Sequence, residues 1–416
     1  MSEAAPVPSP HRSVFRRVFP CIVLAFMVSM FYRGANGVIA PELMAELDMD
    51  PSTMGFVTGV FFLVFAVVQI PVGMALDRFG PRLVIGNLSL IAVVGAVVYA
   101  VAPDWRGLAV GRALLGLGCS ATMIGAVVIL SRWVSGRNLG VAVAALSATG
   151  AVGSVLATAP FAVIVEMIGW RNAFLVLSAV NLVAAVLVFV GVQDDPHDRQ
   201  TSSRAESLGE VLRGVGEVLR SPVVPGFVAL MLVAYPSALS ISGLWGGPYL
   251  HDTFGLGQIE RGNVLLLMMA AGGVGTLAIG YVDRTTGNRK GVIAGCSCLS
   301  ILLLVSLAFS PAMPLWLVAA VLVVFGGVCN YGPLIHTHAR TFFPERLAGR
   351  ALATLNTAVM VGSFSMQWIT GHIIGASRSA DGTASTLSYQ LMFGFLAAAL
   401  ATGLLVYVVK VRGNRP

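Results

Sequence analysis

The 416 residues of this chain are 56% hydrophobic and only 11% charged, with a mean hydropathy of +0.85, which leaves too few polar groups to cover a water-soluble body of this size. The formal charge of +7 does not point to nucleic acid, because the basic residues sit in short loops between apolar runs, where they set membrane topology. Five cysteines, Cys21, Cys119, Cys296, Cys298 and Cys329, all fall inside apolar runs, a usage that indicates neither a disulfide framework nor a zinc site.

Residues 1–15 are polar and Pro-rich and read as a disordered tail ahead of Arg16, Arg17 and a first apolar run that continues to Ala40. No small-residue cleavage site interrupts that run, so it reads as a retained helix rather than a signal peptide. Further runs near 53–76, 83–102, 107–130, 139–165 and 172–192 are each long enough to cross a bilayer at about 1.5 Å per residue. Residues 16–192 therefore predict a first bundle of six helices.

Hydropathy collapses over 193–222, where Asp194, Asp195, Pro196, His197, Asp198 and Arg199 lead into a Ser-rich piece and then Leu208 to Leu219 with apolar residues at helical spacing. This stretch reads as a linker ending in an amphipathic helix along the membrane surface. Six more runs, near 223–250, 262–282, 290–310, 313–337, 348–375 and 388–409, predict a second bundle over 223–410 and leave 411–416 as a short tail. The expected fold class is an all-α membrane protein with twelve transmembrane helices in two pseudo-symmetric six-helix bundles.

Of the 26 Lys and Arg residues, 20 fall on the side of the termini and the linker, against Arg106, Arg171, Arg261 and Arg378 on the other. Both termini and the linker are thus expected in the cytoplasm of an inner-membrane, multi-pass protein. The two basic residues left over, Arg33 and Arg112, lie within apolar runs.

Two internal matches support the paired bundles. The turn Gly73-Met-Ala-Leu-Asp77-Arg78-Phe-Gly80-Pro-Arg82 returns in weaker form 206 positions later as Asp283-Arg284-Thr-Thr-Gly287-Asn-Arg289-Lys290. At an offset of 209, Ser147, Ser154 and Thr158 pair with Asn356, Ser363 and Gln367. Each trio falls at i, i+7 and i+11, one face of a helix. Polar stripes on apolar helices face a bundle interior or a watery cavity, so a shared central cavity is expected.

Twelve helices in two halves, a cytoplasmic linker and the pattern G-x-x-x-D-R-x-G-x-R resemble the major facilitator superfamily of secondary transporters. The resemblance implies alternating access, and a conformational latch formed by Gly73, Asp77, Arg78, Gly80 and Arg82 with Asp283 and Arg284. The bland alternative is that these charges only anchor helix ends.

Arg33 lies about 14 residues into helix 1, roughly 20 Å from its cytoplasmic end, and a guanidinium in hydrocarbon needs a partner. Tyr32-Arg33-Gly-Ala-Asn36-Gly-Val-Ile-Ala-Pro41 resembles helix 1 of the organic-anion and organophosphate branches, where an arginine contacts the anionic substrate. The organophosphate transporters bring a second arginine from helix 7, but that helix here reads Tyr235-Pro-Ser-Ala-Leu-Ser240-Ile-Ser242-Gly-Leu-Trp245 without a cation. The sugar-acid relatives place an acid seven positions after the arginine corresponding to Arg112, where this chain has Cys119. One arginine favours a singly charged cargo. The alternative is that Arg33 snorkels to the outer interface.

Besides Arg33, the candidate cargo residues are Tyr32, Asn36, Trp245, Tyr331, Asn356 and Gln367, chosen as aromatic or amide groups in apolar helices. None of the 19 acidic residues sits mid-helix, so the coupling candidates are Arg112, Glu166 and His372, the substrate's own protonation, or no coupling. The expected function is a secondary active transporter that imports a small organic anion or zwitterion: a monocarboxylate, sugar acid or amino-acid-like molecule. Its partners are that substrate, the lipid bilayer and, if it is coupled, protons. It reads as a monomer with no metal, no cofactor and no enzymatic activity. A drug or siderophore-type efflux antiporter, a facilitative uniporter and a non-transporting sensor on the same fold are the alternatives.

Overall fold

An apolar segment in hydrocarbon has no water for its backbone, so every N–H and C=O must pair within the segment, and helix is the outcome. The structure, a computed structural model describing residues 10–134, 137–192, 208–309, 313–377 and 385–411, is helical throughout its regular elements. The first half comprises α1 (Pro10–Gly34), α2 (Asn36–Glu46), α3 (Pro51–Phe79), α4 (Pro81–Ala100), α5 (Trp105–Cys119), α6 (Thr122–Trp133), α7 (Arg137–Leu156) and α8 (Ala159–Gly191). After the surface helix α9 (Leu208–Leu219), the second half begins with α10 (Val224–Met231), α11 (Ala234–Ser240), a π-helical turn (Ile241–Trp245) and α12 (Gly246–Phe254). It continues through α13 (Gln258–Thr286), α14 (Arg289–Phe309), α15 (Leu315–Cys329), α16 (Gly332–Arg340), α17 (Glu345–Ala376) and α18 (Thr386–Lys410).

Two glycines make the reversals that the chain path needs. Gly80, at φ 80° and ψ 156°, turns the end of α3 into Pro81 of α4, a conformation closed to residues with a Cβ. Gly169 does the same at φ 77° and ψ 157° inside α8. That helix is therefore the end of the fifth crossing and the whole of the sixth, which brings the path to the expected twelve.

Several crossings are broken where the sequence predicts continuous helices. The first bends by 49° between α1 and α2. The fourth breaks between α5 and α6, the seventh between α10 and α11 and again at the π turn, and the tenth between α15 and α16. These are the first and fourth crossings of each half; the fifth is broken as well, between α7 and α8. Irregular backbone at membrane depth is tolerated where it lines a cavity or is buried in protein, and four of these breaks supply cavity residues.

The termini of the bundle (residue 10, Gly191, α9 and Lys410) lie at one end, here the terminal end; the opposite one is the distal end. At the distal end the halves are zipped together by small residues. Gly37 of α2 sits on the carbonyl of Ser242, Gly247 of α12 on the carbonyl of Gly37, and Gly371 of α17 on the carbonyl of Pro51. A Cβ on Gly262 would stand 2.9 Å from the Cα of Ala159. Toward the terminal end Gly73, Gly140, Gly280 and Gly349 have no neighbour within 4 Å of where a Cβ would be.

The apolar core follows the same division. Distal residues of the first half, such as Phe61, Phe161 and Phe174, share one cluster with the second half, whereas Ile22, Ile85, Leu130 and Val188 form a separate cluster at the terminal end. Helix α1 starts at Pro10, earlier than the boundary at 16. Residues 1–9, 193–207 and 412–416, which carry the rest of the tail and linker readings, lie outside the described residues.

Candidate functional site

Arg33 occupies the last turn of α1, one residue before the helix stops at Gly34. It lines a narrow recess between the halves. The first half contributes Met30 and Gly34 beside it, with Ser154 and Thr158 from the α7–α8 junction. The second half contributes Tyr235, Leu239 and Ser242 from the broken seventh crossing, Met268 and Met269 from α13, and Cys329 and Asn330 at the break after α15.

Arg33 is 8% exposed, and its guanidinium carbon sits 4.9 Å from the centre of the Phe65 ring. The Tyr235 phenol is beside it, and Nε is buried without a protein partner. No acidic side chain is among the described lining residues. A cation taken out of water at several kcal/mol is thus left short of an anion, and its planar fork suits a carboxylate, sulfonate or phosphate.

Arg112 is placed differently. It is 1% exposed, donates from Nη1 to the carbonyl of Tyr32 at 2.7 Å, and lies over the Tyr99 ring at 5.4 Å. Tyr99 donates to Asn36 Oδ1 at 3.0 Å, and Asn36 Nδ2 donates to Thr58 at 2.8 Å. This chain of groups ties α1, α2, α3, α4 and α5 together inside the first half. Tyr32, stacked on Phe174 at 6.2 Å, and Asn36 belong to that interior and not to the recess. The sequence reading put Asn36 on the arginine face at i+3, a relation that holds only in an unbroken helix; the break at Ala35 turns Asn36 away.

The other cargo candidates are dispersed as well. Trp245 is fully buried and donates from Nε1 to Thr370 of α17 at 2.8 Å. Tyr331 accepts from Ser297 of α14 at 2.9 Å. Asn356 bridges the halves by donating to Gln69 of α3 at 3.3 Å, while Gln367 is 0% exposed with both ends of its amide lacking a protein partner. Of the seven candidates only Arg33 lines the recess. Of the polar stripes, Ser154 and Thr158 reach it and their counterparts Ser363 and Gln367 do not, so the halves contribute unequally. Met268, Met269 and Asn330 were missed; Asn330 just before Tyr331, Gly332 and Pro333 was the available signal of a helix break.

The coupling candidates lie away from the recess. Glu166 is exposed on α8. His372 is exposed near the distal end, where Nδ1 is 3.0 Å from the carbonyl of Trp368 and Nε2 is 3.0 Å from the Ser52 hydroxyl across the seam. The charged turn sits at the terminal end. Asp77 and Arg78 are exposed, Arg78 lies over Phe79 at 5.5 Å, and Arg82 donates to the carbonyl of Phe189 at 2.8 Å. In the second copy Asp283 pairs with Arg289 at 3.2 Å, not with the neighbouring Arg284, which is exposed.

Arg261, expected as a loop cation, is instead buried, donating from the start of α13 to Glu42 of α2 at 2.5 Å and to the carbonyl of Val38 at 3.1 Å. The first half carries its own distal clamp, in which Glu46 accepts from Trp170 Nε1 at 2.5 Å and from Arg171 Nε at 2.9 Å. Glu42 and Glu46 are four apart on α2 and serve the two partners separately.

The sequence profile of the Major Facilitator Superfamily matches residues 22–367. The chain is similar to the probable sulfoacetate transporter SauU of Cupriavidus necator, 26% identical over 400 residues that cover 92% of this chain and 90% of that one. It is similar to the hexuronate transporter of Escherichia coli K12, 21% identical over 420 residues covering 95% and 93%. Among solved structures, a bacterial homolog of the human lysosomal transporter Spinster in an inward-facing, unoccupied conformation superposes with a TM-score of 0.77 at 16% identity, covering 98% of each chain. A D-xylose–proton symporter gives 0.75 at 13% identity, covering 96% and 99%. A profile that runs through both bundles and a fold shared with these transporters carry one conclusion: the chain belongs to the Major Facilitator Superfamily, a family of membrane transporters and not of enzymes.

Proposed function

We propose that this protein is a secondary active transporter that imports a small organic anion across the inner membrane by alternating access, with Arg33 as the anchor for the anion. The observation that carries this reading is the buried Arg33 guanidinium, lacking an acidic partner among the described residues, at a recess between the two halves. Relatives named for sulfoacetate and hexuronate transport, both acids, support the same cargo class.

Taking the terminal end as cytoplasmic, as the distribution of basic residues favours, the halves are shut on the outer side and open toward the cytoplasm. An inward-facing relative of the same fold is compatible with this. The charged turn after α3, with Asp77, Arg78 and Arg82, acts in this reading as a latch that reseals the cytoplasmic side, aided by the turn around Asp283. With no acid or histidine among the described lining residues, a proton would ride on the substrate itself, or transport would be uncoupled.

Purified full-length protein in liposomes tests the reading through uptake of labelled organic monoanions by wild type and by Arg33→Ala. Uptake should be lost in the variant, which should still fold and reconstitute. Undiminished anion uptake by Arg33→Ala would sink the proposal.

A further inference from the structure

We infer that the cargo is an organic monoanion with an alkyl or aryl body, and not a polyhydroxylated acid; the inference rests on the recess at Arg33 being the cargo site. Sugar acids are bound through their hydroxyls, each of which needs a donor or acceptor once water is removed. The recess offers few. Three of its hydroxyls already donate to backbone carbonyls three or four residues back: Thr158 to Val155 at 2.5 Å, Ser242 to Ala238 at 3.0 Å and Ser154 to Gly150 at 3.4 Å. The donors left are the Arg33 guanidinium, the Tyr235 phenol and the Asn330 amide.

Opposite Arg33, the second half presents Leu239, Met268 and Met269, and Met30 adds a third thioether from the first half. Methionine side chains are apolar, flexible and polarizable, and they close around alkyl and aryl groups of varied shape. The division of labour follows: the first half holds the charge and the second half holds the body. A hexuronate here would set its ring hydroxyls against thioethers and leucine without partners. A dianion would leave its second charge unpaired, since Arg33 is the single cation among the described lining residues.

The test compares binding of 4-methylpentanoate, 3-phenylpropanoate, D-glucuronate and tartrate to purified full-length protein by calorimetry, on wild type, Arg33→Ala and Met269→Gln, with Leu239→Asn as a second wall variant should Met269→Gln fail to fold. The two apolar monoanions should bind at least about tenfold more tightly than glucuronate or tartrate, the scale on which pockets discriminate unpaired polar groups. Arg33→Ala should lose them, and the wall variant should shrink the preference several-fold while still binding. Glucuronate or tartrate binding as tightly as the apolar anions, in an Arg33-dependent way, overturns the inference and leaves the cargo-site reading standing. A preference unmoved by the wall variant also overturns it. If none of the four anions binds in an Arg33-dependent way, the cargo-site reading itself fails, and the inference falls with it.

Discussion

Arg261 and Glu42 face one another across the distal seam, Nη2 to Oε1 at 2.5 Å, with the arginine side chain 1% and the glutamate 35% exposed. One partner opens α13 of the second half and the other lies on α2 of the first. Any motion that parts the halves here must pull the pair apart and break the hydrogen bond from Arg261 to the Val38 carbonyl with it, because Val38 and Glu42 lie on the same helix.

The pair is therefore expected to bias the protein toward the distally closed state. Losing one partner of a buried pair costs about 3–5 kcal/mol, and the partial exposure of Glu42 brings this to roughly 1–2 kcal/mol. Glu42→Gln should shift the population toward distal opening, read as a longer component in pulsed EPR distances between labels at Ala45 and His251, both exposed. An unchanged distance distribution would show that the glycine contacts alone hold the seam.

Those contacts make a second prediction. A methyl group on Gly37 would meet the carbonyl of Ser242, and one on Gly247 the carbonyl of Gly37, backbone atoms that cannot step aside. Gly37→Ala should destabilise the closed seam by about 1–3 kcal/mol, as overpacking does, and lower the Tm. Gly140→Ala, with nothing within 4 Å, is the matched control and should leave Tm unlowered, since alanine is the better helix former. Equal effects of the two would contradict the division of the bundle into a zipped and an open end.

Asn36 makes the third. It satisfies Tyr99 and Thr58 at once, so Asn36→Ala leaves two buried groups unpaired at about 1–3 kcal/mol each. Thermal stability should fall, while the affinity of the surviving folded protein for an anion should stay within about threefold of wild type. A tenfold or larger loss of affinity at unchanged Tm would return Asn36 to the cargo site.

That contrast shows what the sequence could and could not reveal. The twelve crossings were legible because a bilayer imposes a run length that few other constraints mimic, and Arg33 because a charge inside such a run stands out. The breaks at Ala35 and Ser120 were not, since neither residue interrupts its apolar run; the one at Asn330 had its signal in the Gly332-Pro333 that follows, and each break rotates the residues after it off the face that a continuous helix assigns. Asn36 was misplaced for this reason; Tyr32 precedes the break and, as the helical neighbour of Arg33, points about 100° away from it. Arg261 was misread as a loop cation because one turn at a helix start separates a loop from the seam. The methionine wall has no polar signature at all.

The surface helix α9 is clasped to the start of α17 by Glu217 and Arg346, at 2.6 and 3.1 Å, above a small cluster of Val218, Val224, Leu347 and Ala351. The hydrogen bond from Arg346 holds the Glu217 carboxyl below its ordinary range. A folded-state pKa that is depressed contributes stability above the unfolded pKa and loses it as pH falls through the folded value. The clasp should accordingly be intact at neutral pH and weaken below about pH 4.5, the ordinary carboxylate range. Protection factors over Leu208–Leu219, taken relative to the intrinsic exchange rate at each pH, should fall on acidification, and Glu217→Gln should reproduce that fall at neutral pH; protection indifferent to both would assign the docking to the apolar cluster alone.

Gln367 supplies the last prediction. It sits at 0% exposure in α17 with neither end of its amide bonded to a protein group, while its backbone carbonyl packs against Gly55 of α3. An unpaired buried amide costs about 1–3 kcal/mol, and an apolar residue of the same length removes that cost without opening a cavity. Gln367→Met should therefore raise the stability of this state by about 1 kcal/mol, a gain of a few degrees in Tm. If the amide finds its partner only when α17 slides against α3 in the opposite-facing state, the same substitution should slow transport even as it stabilises the protein. A fall in Tm would mean that the amide is already paired in this state, and a gain in Tm with unchanged transport would mean that no other state uses it.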